Sequence, residues 1–225
     1  MRIHIRNNTA GLSVLIPCLH EAANLRVLLP KLRACLDGLG ISWEILVVDG
    51  ASGDGTEEVA EAEGARYVCE TAPGYGAAIM RGAMEAHGEF LLTMDADLSH
   101  PTHCIQDLWN AREDADIVIA SRYVPGGKAD QPWARYQLSR LLNNFFRRGL
   151  SLEARDLSSG FRLYRKCIFA NAELTFSNFV ILLEILLVAY GAGRRVKEIP
   201  FHYQPRIEGT SHARIIRFGI DYLRL

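Results

Sequence analysis

Residues 90–100 read FLLTMDADLSH: the apolar run Phe90, Leu91 and Leu92 leads into two carboxylates one residue apart, Asp95 and Asp97. Alternate side chains on an extended end point to opposite sides, so the pair divides labour, one facing a ligand hydroxyl and the other an Mg2+ or Mn2+ ion. Hard oxygen donors suit both ions. Alone, this spacing also fits a solvated turn at a strand end, and the rest of the chain has to decide.

Working outward, apolar runs of strand length recur at Leu12–Pro17, Glu44–Asp49, Ala65–Cys69, Glu89–Asp95 and Asp116–Ser121, separated by helix-like segments. Most lack strict alternation, the pattern of a parallel sheet covered on both faces. Leu25, Leu28, Leu29, Leu32 and Leu36 fall at helical spacing, and Pro30 is expected to kink or restart that helix. Asp54 with Glu57, and Pro101 after Ser99 and His100, read as helix starts; Gly40, Gly64 and Gly88 read as stops. After the loop Tyr123–Pro132 a helix is predicted from Ala134 to Gly149, and the second half reads as an embellishment of the sheet. The apolar stretch Phe176–Ala192, interrupted by Glu184, predicts a buried helix rather than a membrane span.

The chain has 225 residues, enough for one α/β domain with a substantial core. Its formal charge of -1 gives no overall basic field, which argues against non-specific nucleic-acid binding. Five dispersed cysteines without a CxxC spacing are expected to be free thiols in a reducing, cytoplasmic setting. Residues 1–11 are polar and read as no export signal.

In open parallel sheets, ligands bind beyond the carboxyl ends of the strands. Pro17 and Glu21 follow the first strand, Asp49 ends the second, Asp95 and Asp97 the fourth, and Ser121 with Arg122 the fifth. Polar residues from four strand ends gathered on one edge point to a site. Asp49 and Asp54 also suit turns around Gly50, Gly53 and Gly55. Arg135, Ser139 and Asn143 share one helix face at four-residue steps, either a phosphate groove or a solvated surface.

The ordered succession LSVLIPCLHEAANL, EILVVDGASGDGT, GYGAAIMRG, MDADLSHP, ASRYVPGG, W-x-R-x-x-x-S-x-x-x-N, SSGFRLYRK and R-x-x-G-x-S resembles the family 2 inverting glycosyltransferases, in particular polyprenyl-phosphate (dolichol-phosphate) mannosyltransferases. It runs from about Leu12 to His212. The resemblance implies a GT-A fold, a Rossmann-like, mostly parallel sheet flanked by helices. It also implies one catalytic domain with a nucleotide-sugar half over 12–121, an acceptor half over 122–212 and a C-terminal helix near the membrane over 213–225. The implied reaction is metal-dependent, inverting transfer of a hexose, mannose, from GDP-mannose to a polyprenyl or dolichyl phosphate, with Mg2+ or Mn2+ as cofactor.

By the same resemblance Pro17, Glu21 and Asp49 line the base and ribose pocket, Asp95 contacts the nucleotide and Asp97 holds the metal. Ser99 stands where many relatives place Gln as a further ligand. Arg122, Arg135 and Arg206 orient the acceptor phosphate, with Ser139 as an added donor. Asp156 orients a sugar hydroxyl or acts as base, although locally it also fits a turn start. His20 replaces a commoner Asn, and Gly50–Ala51 replaces a second acidic residue, leaving guanine or uracil open. A UDP-sugar donor, a sugar-hydroxyl acceptor or nucleotide-sugar binding without turnover are the alternatives. The basic, partly amphipathic tail around His212, Arg214, Arg217 and Arg224 is expected to give peripheral contact with the cytoplasmic face of a membrane, with any stronger anchor supplied by a partner or by further chain.

Overall fold

The structure, a computed structural model, describes residues 11–204 except 171 and 173. Arg206, His212 and the predicted helix over 213–225 lie outside the described residues. In chain order the elements are β1 (Leu12–Cys18), α1 (Ala22–Asp37), β2 (Trp43–Asp49), α2 (Thr56–Ala62), β3 (Arg66–Cys69), α3 (Tyr75–Glu85) and β4 (Phe90–Thr93). A 3-10 turn at Thr102–Cys104 leads into α4 (Ile105–Ala111) and β5 (Ile117–Ser121). Then come β6 (Lys128–Ala129), α5 (Trp133–Gly149), β7 (Arg162–Arg165), α6 (Cys167–Ala170), α7 (Ile181–Gly191), β8 (Val196–Pro200) and β9 (His202–Tyr203).

The main sheet has the order β3-β2-β1-β4-β7-β5-β8, and β6 pairs with β9 in a small ribbon. Within the main sheet β7 is antiparallel to both neighbours, and the other described pairings are parallel. Each strand expected from sequence forms. The second half, however, does more than embellish: β7 sits between β4 and β5, so the two halves share one sheet. Its signal is a period-two pattern, with Phe161 and Leu163 in one core layer and Tyr164 in the other, masked by the charges of Arg162 and Arg165. Arg162 is fully buried and donates to the carbonyls of Leu182 and Leu157, each at 2.7 Å. Those bonds satisfy a charge that would otherwise be costly to bury. Because β7 runs backwards, it carries residues 156–161 to the carboxyl edge of its neighbours.

Two apolar layers cover the sheet. Val14 and Ile16 face one, packed with α1 and α4; Leu15 faces the other, packed with α3 and α7. The helix does not restart at Pro30, since α1 continues through it. An interior proline costs about 3 kcal/mol. Leu25, Leu28, Leu29, Leu32 and Leu36 are all buried, and each contributes about 1.5–3 kcal/mol, so the tertiary term wins. Gly64 ends α2 as expected, at φ +74° with its amide donating to Glu61. Among the described residues no helix is long and apolar enough to cross a membrane.

Candidate active site

The loops after β1 and β2 are tied to each other at the carboxyl edge. Asp49 is buried, and its Oδ2 accepts the Ser52 amide at 2.8 Å and the Tyr67 hydroxyl at 3.0 Å. The Ser52 hydroxyl donates to Oδ1 and accepts the His20 amide at 2.7 Å. Gly50 N donates to the Cys18 carbonyl at 3.1 Å, which closes the link. Asp49 is therefore both a turn-maker and a rim residue. Half-buried Pro17 and Glu21 stand beside it, Glu21 accepting the Asn24 amide at 2.6 Å. The helix start read at Asp54 is displaced by one residue, because Gly55 occupies the capping position of α2. Asp54 instead accepts Thr56 N and, across the loop, Ala22 N at the start of α1, each at 3.2 Å. Burial, then the Asp49 charge, pushes the Cys18 thiol pKa up and keeps it protonated.

Backbone strain collects along the same edge. His20, Ala51 and Leu98 adopt φ of 59°, 61° and 63°, in the loops after β1, β2 and β4 respectively. Such conformations persist in side-chain-bearing residues where the surroundings over-determine them, commonly at ligand sites.

Asp95 and Asp97 follow β4 and differ in exposure. The Asp95 side chain is 27% exposed, whereas Asp97 is 2% exposed. His100 fixes the turn: its Nδ1 accepts the Asp95 amide at 3.0 Å, which leaves Nε2 to carry the proton, 3.8 Å from the Asp95 carboxylate. Its ring stacks on Phe161 at 4.8 Å. His100 is thus a positioning residue, which in sequence read only as part of a helix start; its place directly after the acidic pair was the available signal. Asp97 Oδ1 accepts the Ser99 amide at 3.1 Å, and the buried Ser99 hydroxyl makes no hydrogen bond. An unsatisfied hydroxyl beside a carboxylate is a fitting oxygen pair for a hard divalent cation. No group of three His, Cys, Asp or Glu among the described residues could hold a metal. Such an ion would take its other ligands from substrate phosphates and water, the usual habit of Mg2+.

On the far side of the rim, β5 ends in a buried ion pair. Arg122 Nε and Nη2 meet the two oxygens of Asp156 at 2.8 and 2.7 Å, and the Arg122 amide adds a third bond at 3.1 Å. Burial alone would raise the Asp156 pKa, but the Arg122 charge and these bonds outweigh it and hold the carboxyl below its ordinary value. Glu198 on β8 receives the backbone amides of Arg155 and Asp156 at 2.8 and 2.9 Å. Ser158 takes a further bond from Arg122 at 2.9 Å and one from Asn143 at 3.3 Å. On α5, Ser139 accepts the Tyr123 hydroxyl at 2.8 Å, and Arg135 lies half-buried one turn earlier. Asn143, on the face shared with Arg135 and Ser139, is buried and receives Leu157 N at 2.7 Å. That position supports the loop rather than lining a groove.

Residues 158–160 and Tyr203 connect the two sides. A Cβ on Gly160 would lie 2.8 Å from the Tyr75 hydroxyl and 3.4 Å from Asp95 Oδ1. Tyr203 stands 5.8 Å from the Arg122 guanidinium and 6.4 Å from the His100 ring. Tyr75 stacks on Phe179 at 4.2 Å; burial and then Asp95 raise its pKa, so the phenol stays protonated. The GYG segment starts α3, and the Ser177 carbonyl docks on it, accepting Gly76 N at 2.7 Å. Glu184 orders that neighbouring loop by accepting Thr175 N, Thr175 Oγ1 and Phe176 N. A Cβ on Gly76 would sit 2.3 Å from the Phe176 carbonyl oxygen. Gly76→Ala is therefore expected to destabilise the chain by about 1–3 kcal/mol despite alanine's helix propensity, a loss measurable by urea unfolding.

Residues 13–171 match the sequence profile of Glycosyl transferase family 2. The chain belongs to glycosyl transferase family 2. The family 2 chain is 36% identical over 208 residues to a dolichol-phosphate mannosyltransferase of Pyrococcus furiosus, an alignment covering 88% of this chain and 58% of that protein. It is 30% identical to a Saccharomyces cerevisiae protein of the same name, covering 88% of this chain and 79% of that one. It thus spans somewhat over half the length of the Pyrococcus relative. A glucosyl-3-phosphoglycerate synthase of Mycobacterium tuberculosis, solved with Mn2+, UDP and phosphoglyceric acid, superposes with a TM-score of 0.75 at 19% identity, over 95% of this chain and 76% of that one. The mannosyl-3-phosphoglycerate synthase of Rubrobacter xylanophilus gives 0.71 at 17% identity, over 96% and 72%. At these identities the likeness establishes the fold, which is GT-A.

Proposed function

We propose that this family 2 domain transfers a hexose, mannose, from GDP-mannose to a polyprenyl or dolichyl phosphate with inversion at the anomeric carbon. The observation that carries the reading is the pairing, on one sheet edge, of an oxygen-donor turn at Asp97–Ser99 with Arg122, held by the buried Asp156 carboxylate. One suits a leaving diphosphate and the other an attacking phosphate. The names of the Pyrococcus and yeast relatives support the lipid phosphate and the mannose.

Asp97 and Ser99 would hold the Mg2+ or Mn2+ ion. When bound, that ion neutralises the negative charge of the departing nucleoside diphosphate. Asp95 meets the nucleotide, held in place by His100, while Pro17, Glu21 and Asp49 frame the base and ribose. A phosphate monoester has a second pKa of about 6, so the acceptor oxygen arrives ionised and needs orientation more than deprotonation. Arg122, with Arg135 and Ser139 from α5, supplies that orientation by charge-assisted hydrogen bonds. Arg206 is assigned the same task by resemblance. Asp156 fixes the Arg122 fork, and with both oxygens committed to it and a lowered pKa, it serves positioning better than proton abstraction.

The test is transfer of labelled sugar from GDP-mannose in the presence of a polyprenyl phosphate. Label in an organic-extractable lipid phosphate is the expected result; label confined to glycan or protein, or none, contradicts it. The Asp156 role has a separate pH signature. A lowered folded-state pKa means the pair stabilises the fold above the ordinary aspartate value of 3.8 and stops doing so as pH falls through the lowered value. Wild type should therefore be more stable than Asp156→Asn at neutral pH, with the gap closing below about pH 3.8 in urea unfolding.

A further inference from the structure

Beside the acidic turn, three buried polar atoms make no hydrogen bond of ordinary geometry to the protein: the hydroxyls of Tyr75 and Tyr164, and Nε of Arg162. They share one neighbourhood, since both phenols feel the Arg162 charge and Tyr75 feels Tyr164 as well. Thr93, at the end of β4, lies close to both phenols, but its own proton goes to the Gly160 carbonyl at 2.6 Å. A buried hydroxyl with no partner is costly, and each one in a folded chain calls for an explanation. Tyr164 and Arg162 lie fully buried on β7, within the sheet. The Tyr75 hydroxyl instead faces a group of the site. A Cβ on Gly160 would lie 2.8 Å from it and 3.4 Å from Asp95 Oδ1, so the missing side chain leaves the two oxygens a common gap.

Of the two groups, the tyrosine is the fixed one. Its ring is stacked on Phe179 at 4.2 Å, and it opens α3 where the Ser177 carbonyl holds Gly76 N at 2.7 Å. The Asp95 side chain, 27% exposed at the rim, has room to turn. We propose that Tyr75 is a positioning residue for the donor: when a nucleoside diphosphate enters, the Asp95 carboxylate closes over Gly160 and accepts the Tyr75 hydroxyl, which fixes the carboxylate against the nucleotide. His100 holds the backbone of this turn, and Tyr75 holds its side chain. The proposal rests on the nucleotide-sugar reading of this edge and deepens it by naming the group that orients Asp95. A hydroxyl that merely fills space, or that serves the fold through a buried water, predicts the opposite behaviour when it is removed.

Titration calorimetry of the full chain with GDP or UDP and Mn2+ tests it, and needs no acceptor. Tyr75→Phe keeps the ring stack and removes only the unpaired oxygen, so the free variant should melt at the wild-type temperature or above. Its Kd for the nucleotide should nevertheless rise by about tenfold or more, the loss expected for a hydrogen bond to a charged group. In sugar transfer the donor KM should rise with it while kcat stays within about threefold, the pattern of lost uniform binding. Gly160→Ala, at a backbone position without positive φ, puts a methyl group into the gap and should weaken nucleotide binding in the same way. In the Tyr75→Phe background it should add little, because the contact is already gone. Unchanged nucleotide affinity in Tyr75→Phe overturns the proposal, whether or not the melting temperature falls; so do additive losses from the two substitutions, or a loss confined to kcat. Wild-type binding that Tyr75→Phe leaves untouched sinks the proposal alone, whereas a wild type that binds neither nucleotide overturns the nucleotide-sugar reading and the proposal with it.

Discussion

Asp97→Ala is expected to lower metal-dependent sugar transfer by about a thousandfold, the equivalent of the several kcal/mol that a cation contributes to a developing diphosphate charge. The fold should survive. The substitution removes the turn hydrogen bond from the Ser99 amide to Oδ1, worth about 1 kcal/mol. Two readouts separate binding from turnover: thermal stabilisation by GDP with Mn2+ should disappear in the variant, and circular dichroism should stay native. Retained metal-dependent stabilisation would remove Asp97 from the site.

Arg122→Ala should act on both stability and activity. It strands Asp156, which is fully buried, and breaking a buried pair from one side costs about 3–5 kcal/mol. At about 2–4 °C per kcal/mol for a chain of this size, the melting temperature should fall by roughly 6–20 °C. Removing both charges by Arg122→Met with Asp156→Leu should restore most of that stability, because a well-packed apolar pair often matches a buried ion pair. Transfer should remain at least about a hundredfold down in the double variant, as expected for loss of a preorganised donor. Recovery of activity together with stability would show that Arg122 holds the fold and does not touch the acceptor.

The sheet's parallel core was legible because Leu12–Cys18, Trp43–Asp49 and Ile117–Ser121 are nearly continuous apolar runs, and continuity is what burial on both faces demands. The strand β7 was not. Its four residues include two arginines, and of the two carbonyls that make Arg162 tolerable, that of Leu157 lies just before the strand but that of Leu182 comes from α7. Pro30 misled for a related reason, since a local cost is visible in sequence while the burial that offsets it is tertiary. At the site, Asp95 and Asp97 could be placed from the end of one apolar run. The Arg122–Asp156 pair could be listed residue by residue but not joined, because 34 positions separate them and an inserted antiparallel strand brings them together. His100 read only as part of a helix start on the same account: it matters through what it packs against, Phe161.

On the proposed reading, the carboxyl edge of this sheet grips a nucleoside diphosphate through a divalent cation held by Asp97. Crystals grown with Mn2+ and GDP, read by anomalous scattering at the manganese edge, address it most directly. The expected result is a manganese peak beside the Asp97 carboxylate and the diphosphate, with the nucleoside between Pro17, Glu21 and Asp49. A peak away from Asp97, or a diphosphate bound elsewhere on the domain, would contradict it.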